Sequence, residues 1–324
     1  MIINKPGMAW GGKIDSLASI EGADRIVRAE VVCGKGGRWS CVVPVSMGLG
    51  DKVVVFLPDA IVPNLPETAF MERRDWRVRM AKFKGCPSEV LAVPIGGDYQ
   101  IGDDMTIALG VRKYEKEIPA QHQGKILGDF PHFIPKTDEP NFQKVSEFLE
   151  ALEGRQYYAS VKYDGSSQTA YRHKGHFGVC SRNWELQETD VPAWRLAHQY
   201  ALPDALTEGY AVQWECIGPK VQGNPHSLDQ IQMRVFNVYH IEAQEYLGLS
   251  KMQQFCEDLG LPVVDLVSQG IWESKTFDEL RQMACGDYHS GQPREGIVIR
   301  PTEPMRVSGE LLSFKIINLD YKES

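Results

Sequence analysis

Four charged residues, Lys162, Glu215, Glu295 and Lys315, each stand within or at the end of a stretch that otherwise reads as an apolar strand. An isolated buried charge is costly, whereas opposite charges that meet, or that hold something between them, are tolerated. The four stretches are therefore expected to converge on one cleft. Strands are expected at 156–163, 168–172, 176–181, 210–216, 233–241, 295–300 and 311–317, with helices at 192–201, 250–259 and 276–284. Thr276 and Glu279 form a capping box for the last helix, and Ser250 reads as the cap of the one before. Asn141 reads as the N-cap of a further helix carrying Val145, Phe148, Leu149 and Leu152 and closed by Gly154. This mixture points to an α+β fold with a largely antiparallel sheet.

The densest chemistry lies in Val161-Lys162-Tyr163-Asp164-Gly165. Strand alternation puts Lys162 and Asp164 on one face and Tyr157, Ala159, Val161 and Tyr163 on the opposite, buryable face. Gly165 lets the backbone turn and lets a ligand come close. A lysine beside a carboxylate is ordinarily charged and inert; as a nucleophile it needs nearby cations, a metal or desolvation to shed a proton. The plainer alternative is an ion pair at a strand end. Further on, Cys180-Ser181-Arg182-Asn183 offers Arg182 to a phosphate.

Residues 1 to about 125 are β-rich, with runs at 27–32, 39–44, 51–57 and 90–94 separated by glycine-rich turns, and an OB-like barrel is the economical reading. Within it lies Arg73-Arg74-Asp75-Trp76-Arg77-Val78-Arg79, followed by Lys82, Phe83 and Lys84. Cations for phosphates interleaved with rings for bases suit a single-stranded nucleic-acid groove, so Arg74, Arg77, Arg79 and Lys82 are candidate contacts; a solvated charged loop is the alternative. Pro131, Pro135 and Pro140 then mark an extended strap between domains, drawn as 1–128 and 129–324. A net charge of −8 argues against indiscriminate nucleic-acid binding but not against a local basic cleft. Seven scattered cysteines, no signal-peptide layout and no membrane-length apolar run suit a cytoplasmic protein without structural zinc.

Taken in order, the segments resemble the motif set of the covalent nucleotidyltransferases, the superfamily of ATP-dependent ligases and capping guanylyltransferases. Lys162-Tyr163-Asp164-Gly165 matches motif I, Trp214-Glu215 motif III, Val235 to Ile241 motif IIIa, Glu295-Gly296-Ile297-Val298 motif IV and Phe314-Lys315 motif V. The resemblance implies an ATP-grasp-like ligase domain with antiparallel sheets, ATP with Mg²⁺ or Mn²⁺ as cofactors, and a lysyl–AMP on Lys162. It further implies a nucleotide pocket built from Val161, Asp164, Gly165 and Arg182, with Glu215 on the ribose and Phe236 on adenine. Lys315 would meet the α-phosphate, and Glu295 would act on the metal through water, Glu215 being the second choice as a metal residue. Only nine residues follow Lys315, too few for the C-terminal OB domain of DNA ligases and capping enzymes. The β-rich module instead precedes motif I, which looks like the RNA-ligase branch with an N-terminal OB domain. The expected function is sealing of RNA 5′-phosphate and 3′-hydroxyl ends, in a nicked duplex, by a monomer without membrane attachment. The alternatives are a DNA ligase or DNA-repair adenylyltransferase with rearranged domains, and a non-catalytic nucleic-acid-binding protein. Three positions depart from the pattern: Ile317 replaces the second motif V lysine, so that Lys322, Lys136 or no residue supplies the cation, Ser167 stands for asparagine, and His240 for aspartate.

Overall fold

The computed structural model describes residues 6–114 and 125–321. The chain divides into two compact units, Met1–Glu117 and Ile118–Ser324. The division falls before the 128/129 boundary read from the sequence, because Ile126–Asp129 is a strand paired with Trp184–Leu186 of the second unit.

The first unit is built on a five-stranded antiparallel sheet, ordered Arg38–Pro44, Ile26–Val32, Ala9–Ser19, Lys52–Phe56, Leu91–Val93. Its central strand, Ala9–Ser19, pairs with both the second and the fourth strand, yet it is absent from the sequence expectations. Glycines and polar residues hide its β character, and packing explains them. A Cβ at Gly11 would fall 2.3 Å from the carbonyl oxygen of Gln100, and one at Gly12 would fall 3.1 Å from Cys33 Sγ. Small residues are the condition for two backbone segments to close on this strand.

The second unit holds two antiparallel sheets. Seven strands run in the order Ile126–Asp129, Trp184–Leu186, His176–Ser181, Ser166–His173, Tyr210–Ile217, Gln232–His240, Glu245–Tyr246. Four more run Leu266–Ile271, Gln156–Lys162, Gly296–Pro301, Phe314–Ile317. The helices Pro192–Gln199 and Leu249–Asp258 bury Trp194, Leu196, Leu249 and Met252 with Trp214 and Val235 of the larger sheet. On its other face the proline-marked strap packs Phe130 and Ile134 against Tyr171, Cys180 and Tyr239. The smaller sheet buries Ala159, Ile297, Ile299, Phe314 and Ile316 under the helices Ser146–Leu152 and Phe277–Ala284. Each large side chain withdrawn from water here contributes roughly 1.5–3 kcal/mol.

Three local expectations change. The Thr276–Glu279 capping box forms, but Gly248 precedes the Leu249–Asp258 helix, so Ser250 lies in its first turn. Asn141 makes no cap: Phe142–Lys144 is a 3₁₀ turn, the helix starts at Ser146, and Asn141 pairs with Lys315 instead. The Gln156–Lys162 strand is buried on both faces, because Tyr158 joins the core of the larger sheet while Tyr157 and Ala159 join that of the smaller.

Candidate active site

The register of the smaller sheet sets the site. Lys162 lies opposite Gly296, Ser160 opposite Val298, Tyr158 opposite Arg300, and Val298 opposite Lys315. Alternation then gives one face to Ala159, Ile297, Ile299, Phe314 and Ile316, which form the core, and the other to Tyr158, Ser160, Lys162, Arg300 and Lys315. That second face turns toward the larger sheet: Arg300 Nη1 donates to the carbonyl oxygen of Phe236 at 2.8 Å. The charges on apolar strands therefore do converge, between two sheets.

Lys162 Nζ donates to Glu295 Oε1 at 2.6 Å. Burial alone would lower the lysine's pKa, but the bond and charge of Glu295, followed by Glu215 and Asp164, hold it above the ordinary lysine value. Burial raises Glu215 to about 8; the charge of Lys162 opposes this while those of Glu295 and Asp164 add to it. Burial lowers Lys315, and the neighbouring positive charge of Lys162 lowers it further. The cleft thus holds a lysine tied to a carboxylate and raised above its ordinary value, a carboxyl raised mainly by burial, and a second lysine lowered mainly by burial.

The strand ends at Lys162, and through a turn closed by Gly165 the chain crosses from the smaller to the larger sheet, where Ser167 lies opposite Glu215. A Cβ at Gly165 would stand 2.3 Å from the Cys216 carbonyl oxygen and 2.8 Å from Glu215 Cγ, so the crossing brings Glu215 against the turn only with glycine here. Val161 donates its amide to the Asp265 carbonyl at 2.8 Å, and its side chain packs with Phe236 on a cluster of Tyr163, Ile217, Val264, Tyr288 and Tyr321.

Sequence reasoning missed that cluster and its ties. Tyr288 Oη donates to the Lys162 carbonyl at 2.9 Å and accepts from the amides of Asp164 and Glu295, each at 3.0 Å. Tyr321 Oη donates to Asp164 Oδ2, and His226 Nε2 lies 3.1 Å from the Asp164 carbonyl oxygen. More than 100 residues separate Tyr288 from motif I, so no local pattern could have flagged it. Its place just before motif IV is the only cue.

The strap runs along the site. Lys136 Nζ donates to Asn183 Oδ1 at 3.0 Å, Thr137 Oγ1 and Ser167 Oγ share a hydrogen bond of 2.7 Å, and Arg182 pairs with Asp138. Glu139 accepts from Arg300 Nη2 at 2.6 Å, and Lys315 donates its amide to the Pro140 carbonyl at 2.9 Å. Residues 135–140, Asn237, Tyr246 and Ser313 border a cavity of about 250 Å³. Of the two cations proposed to replace the second motif V lysine, Lys136 is engaged with Asn183, and Lys322 lies outside the described residues. The charge of Arg182 does reach Lys315. His240 is turned away, its Nδ1 accepting from the Ala243 amide at 3.1 Å.

The basic stretch of the first unit divides. Arg77 is buried, its Nη2 lies 2.5 Å from Asp59 Oδ1, and its guanidinium stands 3.8 Å from the Tyr114 ring centre. That corrects its assignment as a nucleic-acid contact, since the chain itself occupies both its charge and its face. Arg74, Arg79 and Lys82 are exposed, and Arg74 lies 5.9 Å from the Phe83 ring centre.

A family model described as RNA ligase matches residues 155–317. A search of curated proteins gives no match. Among solved structures, the chain is similar to RNA ligase from Naegleria gruberi. A lysine-to-alanine variant with ATP and Mn superposes with a TM-score of 0.80 at 29% identity, covering 97% of this chain and 96% of that one. Another such variant, in the apo state, gives 0.83 at 29% identity with 96% of each chain covered. The same ligase with PPi gives 0.80 at 29% identity, again with 96% of each chain covered.

Proposed function

The chain belongs to the RNA ligase family, and from that premise we propose an ATP-dependent enzyme that joins RNA ends through a covalent AMP on Lys162. The observation that carries the assignment of the nucleophile is the 2.6 Å bond from Lys162 Nζ to Glu295 on a face shared with Lys315. With ATP bound, the amine attacks the α-phosphorus, the Nζ–P bond forms, and the bond from phosphorus to the pyrophosphate oxygen breaks. The ammonium gives up one proton before attack, to the bonded Glu295 carboxylate, and a second as the phosphoramide forms, which passes to the departing pyrophosphate or to solvent. Lys315 stands ready for charge building on the α-phosphate oxygens. The AMP then passes to an RNA 5′-phosphate, and attack by a 3′-hydroxyl expels AMP and leaves a phosphodiester.

Glu215, whose carboxyl burial raises to about 8, is the group for the ribose hydroxyls. Phe236, half-buried on the aromatic cluster, is the ring for adenine, and Arg182 is the cation for a phosphate once Asp138 lets it go. ATP and a divalent cation are the cofactors. Among the described residues no three His, Cys, Asp or Glu side chains are grouped as direct metal ligands. Burial does most to raise Glu215, and the charges of Glu295 and Asp164 add to it; a cation there would be held by Glu295 through water, with Glu215 as the second choice. When bound, such a cation would supply positive charge to the phosphate and favour the free amine of Lys162.

The strand order of the first unit supports an OB-like barrel preceding an adenylyltransferase domain. Exposed Arg74, Arg79 and Lys82 beside Phe83 support an RNA-facing surface on it. The test compares nicked duplexes with a 5′-phosphate and with RNA or DNA at the 3′-hydroxyl side, with ATP and Mg²⁺ or Mn²⁺. Sealing of the RNA nick together with transient AMP-capped RNA is expected; sealing of the all-DNA nick alone would overturn the reading.

A further inference from the structure

Tyr288 lies outside the motif set, yet it joins the two segments that the chemistry needs matched. It stands in a tight turn before the Gly296–Pro301 strand, where its amide donates to the Gln292 carbonyl at 2.8 Å and its carbonyl accepts from the Gly291 amide at 2.9 Å. The ring is buried, stacked on Tyr163 at 5.8 Å and set against His226 at 4.3 Å. A phenol has one hydrogen to give and two lone pairs to receive with. Here all three are used on main-chain groups: the Lys162 carbonyl, the Asp164 amide and the Glu295 amide. Two of these flank the nucleophile's turn, and the third belongs to the residue whose carboxylate holds the nucleophile.

We propose that Tyr288 is a positioning residue for AMP transfer, its hydroxyl locking the Lys162 turn to the Glu295 strand so that amine and carboxylate stay in register. The inference rests on Lys162 being the nucleophile. Without the hydroxyl, three main-chain groups lose their bond to Tyr288, and that tie between the main chains of the Lys162 turn and the Glu295 segment is gone. Buried main-chain groups left unpaired pull a segment toward other partners. A displacement of about 1 Å at a reacting atom is enough to slow chemistry roughly 100-fold.

The test is single-turnover formation of protein-bound AMP from labelled ATP and Mg²⁺, comparing the full-length chain with Tyr288→Phe. Expected is a fall of roughly 10- to 100-fold in the rate constant at saturating ATP, with KM for ATP within about twofold and an unchanged end-point amplitude. A role in folding alone lowers the amplitude and leaves the rate constant of the surviving fraction untouched, which overturns the proposal. So does a change confined to KM. If Tyr288→Phe yields too little folded protein to measure, 3,5-difluorotyrosine at position 288 decides, because it keeps the hydroxyl's one hydrogen and two lone pairs while accepting more weakly from the two amides. A rate constant lowered severalfold at a normal amplitude supports the proposal, and a rate constant equal to wild type's overturns it. Wild-type protein that takes up no label would instead refute the assignment of Lys162.

Discussion

Lys162 and Arg77 look alike as isolated pairs: each is a cation withdrawn from bulk water and bound to a carboxylate, at 2.6 Å to Glu295 and 2.5 Å to Asp59. Their surroundings differ. Arg77 is closed on one side by Asp59 and on another by the Tyr114 ring, and a guanidinium keeps its proton. Lys162 has Glu215 and Asp164 beyond Glu295, with a second lysine within electrostatic reach, so its protonation answers to whatever charge arrives. The pair itself does not mark a reactive site; an unbalanced set of charges around a group able to lose a proton does.

Exchanging either cation for alanine should separate the two roles. Lys162→Ala is expected to abolish covalent AMP and to cut RNA sealing by 10⁴-fold or more, on the order seen when a nucleophile is removed. Arg77→Ala should leave the rate of protein–AMP formation within twofold and lower stability by about 1–3 kcal/mol, the modest figure reflecting a partly exposed Asp59. Denaturant melts alongside label incorporation check both. A slow Arg77→Ala enzyme of normal stability would erase the contrast.

A smaller effect sharpens the charge argument. Glu215 is raised from its ordinary value of 4.5 to about 8, so the folded chain binds a proton that the unfolded chain releases across that window. Wild-type stability should therefore fall as pH rises from about 4.5 toward 8, relative to Glu215→Gln, which cannot titrate. The variant's advantage should grow to roughly 4 kcal/mol by pH 8 and vanish near pH 4. Urea melts across that range measure it, and a constant gap would mean that Glu215 is ionised in the cleft.

The smallest effect concerns the exposed part of the basic stretch. Arg79→Ala and Lys82→Ala should each weaken RNA binding a few-fold and reduce the slope of log affinity against log salt by about one, leaving protein–AMP formation unchanged. Salt titrations of RNA affinity read this out.

What could be read from the sequence follows from how far each signal reaches along the chain. A charge inside a β-branched run is local, so Lys162, Glu215, Glu295 and Lys315 could be picked out, and the cost of burying them predicted a common cleft. The capping box at Thr276 is equally local. Arg77 misled because its partner lies 18 residues away, in a segment with no pattern of its own. Tyr288 was invisible for the same reason at greater range, as was the Ala9–Ser19 strand, whose glycines make sense only once Gln100 and Cys33 close on them. Signals between distant segments emerge only when the register brings them together.

The central claim is most directly tested by locating the AMP. Wild-type chain incubated with ATP and Mg²⁺, digested at neutral pH and mapped by mass spectrometry, should carry the adduct on the peptide containing Lys162, and acid should remove it. An adduct on Lys315 or elsewhere, or sealed RNA from Lys162→Ala, would contradict the account.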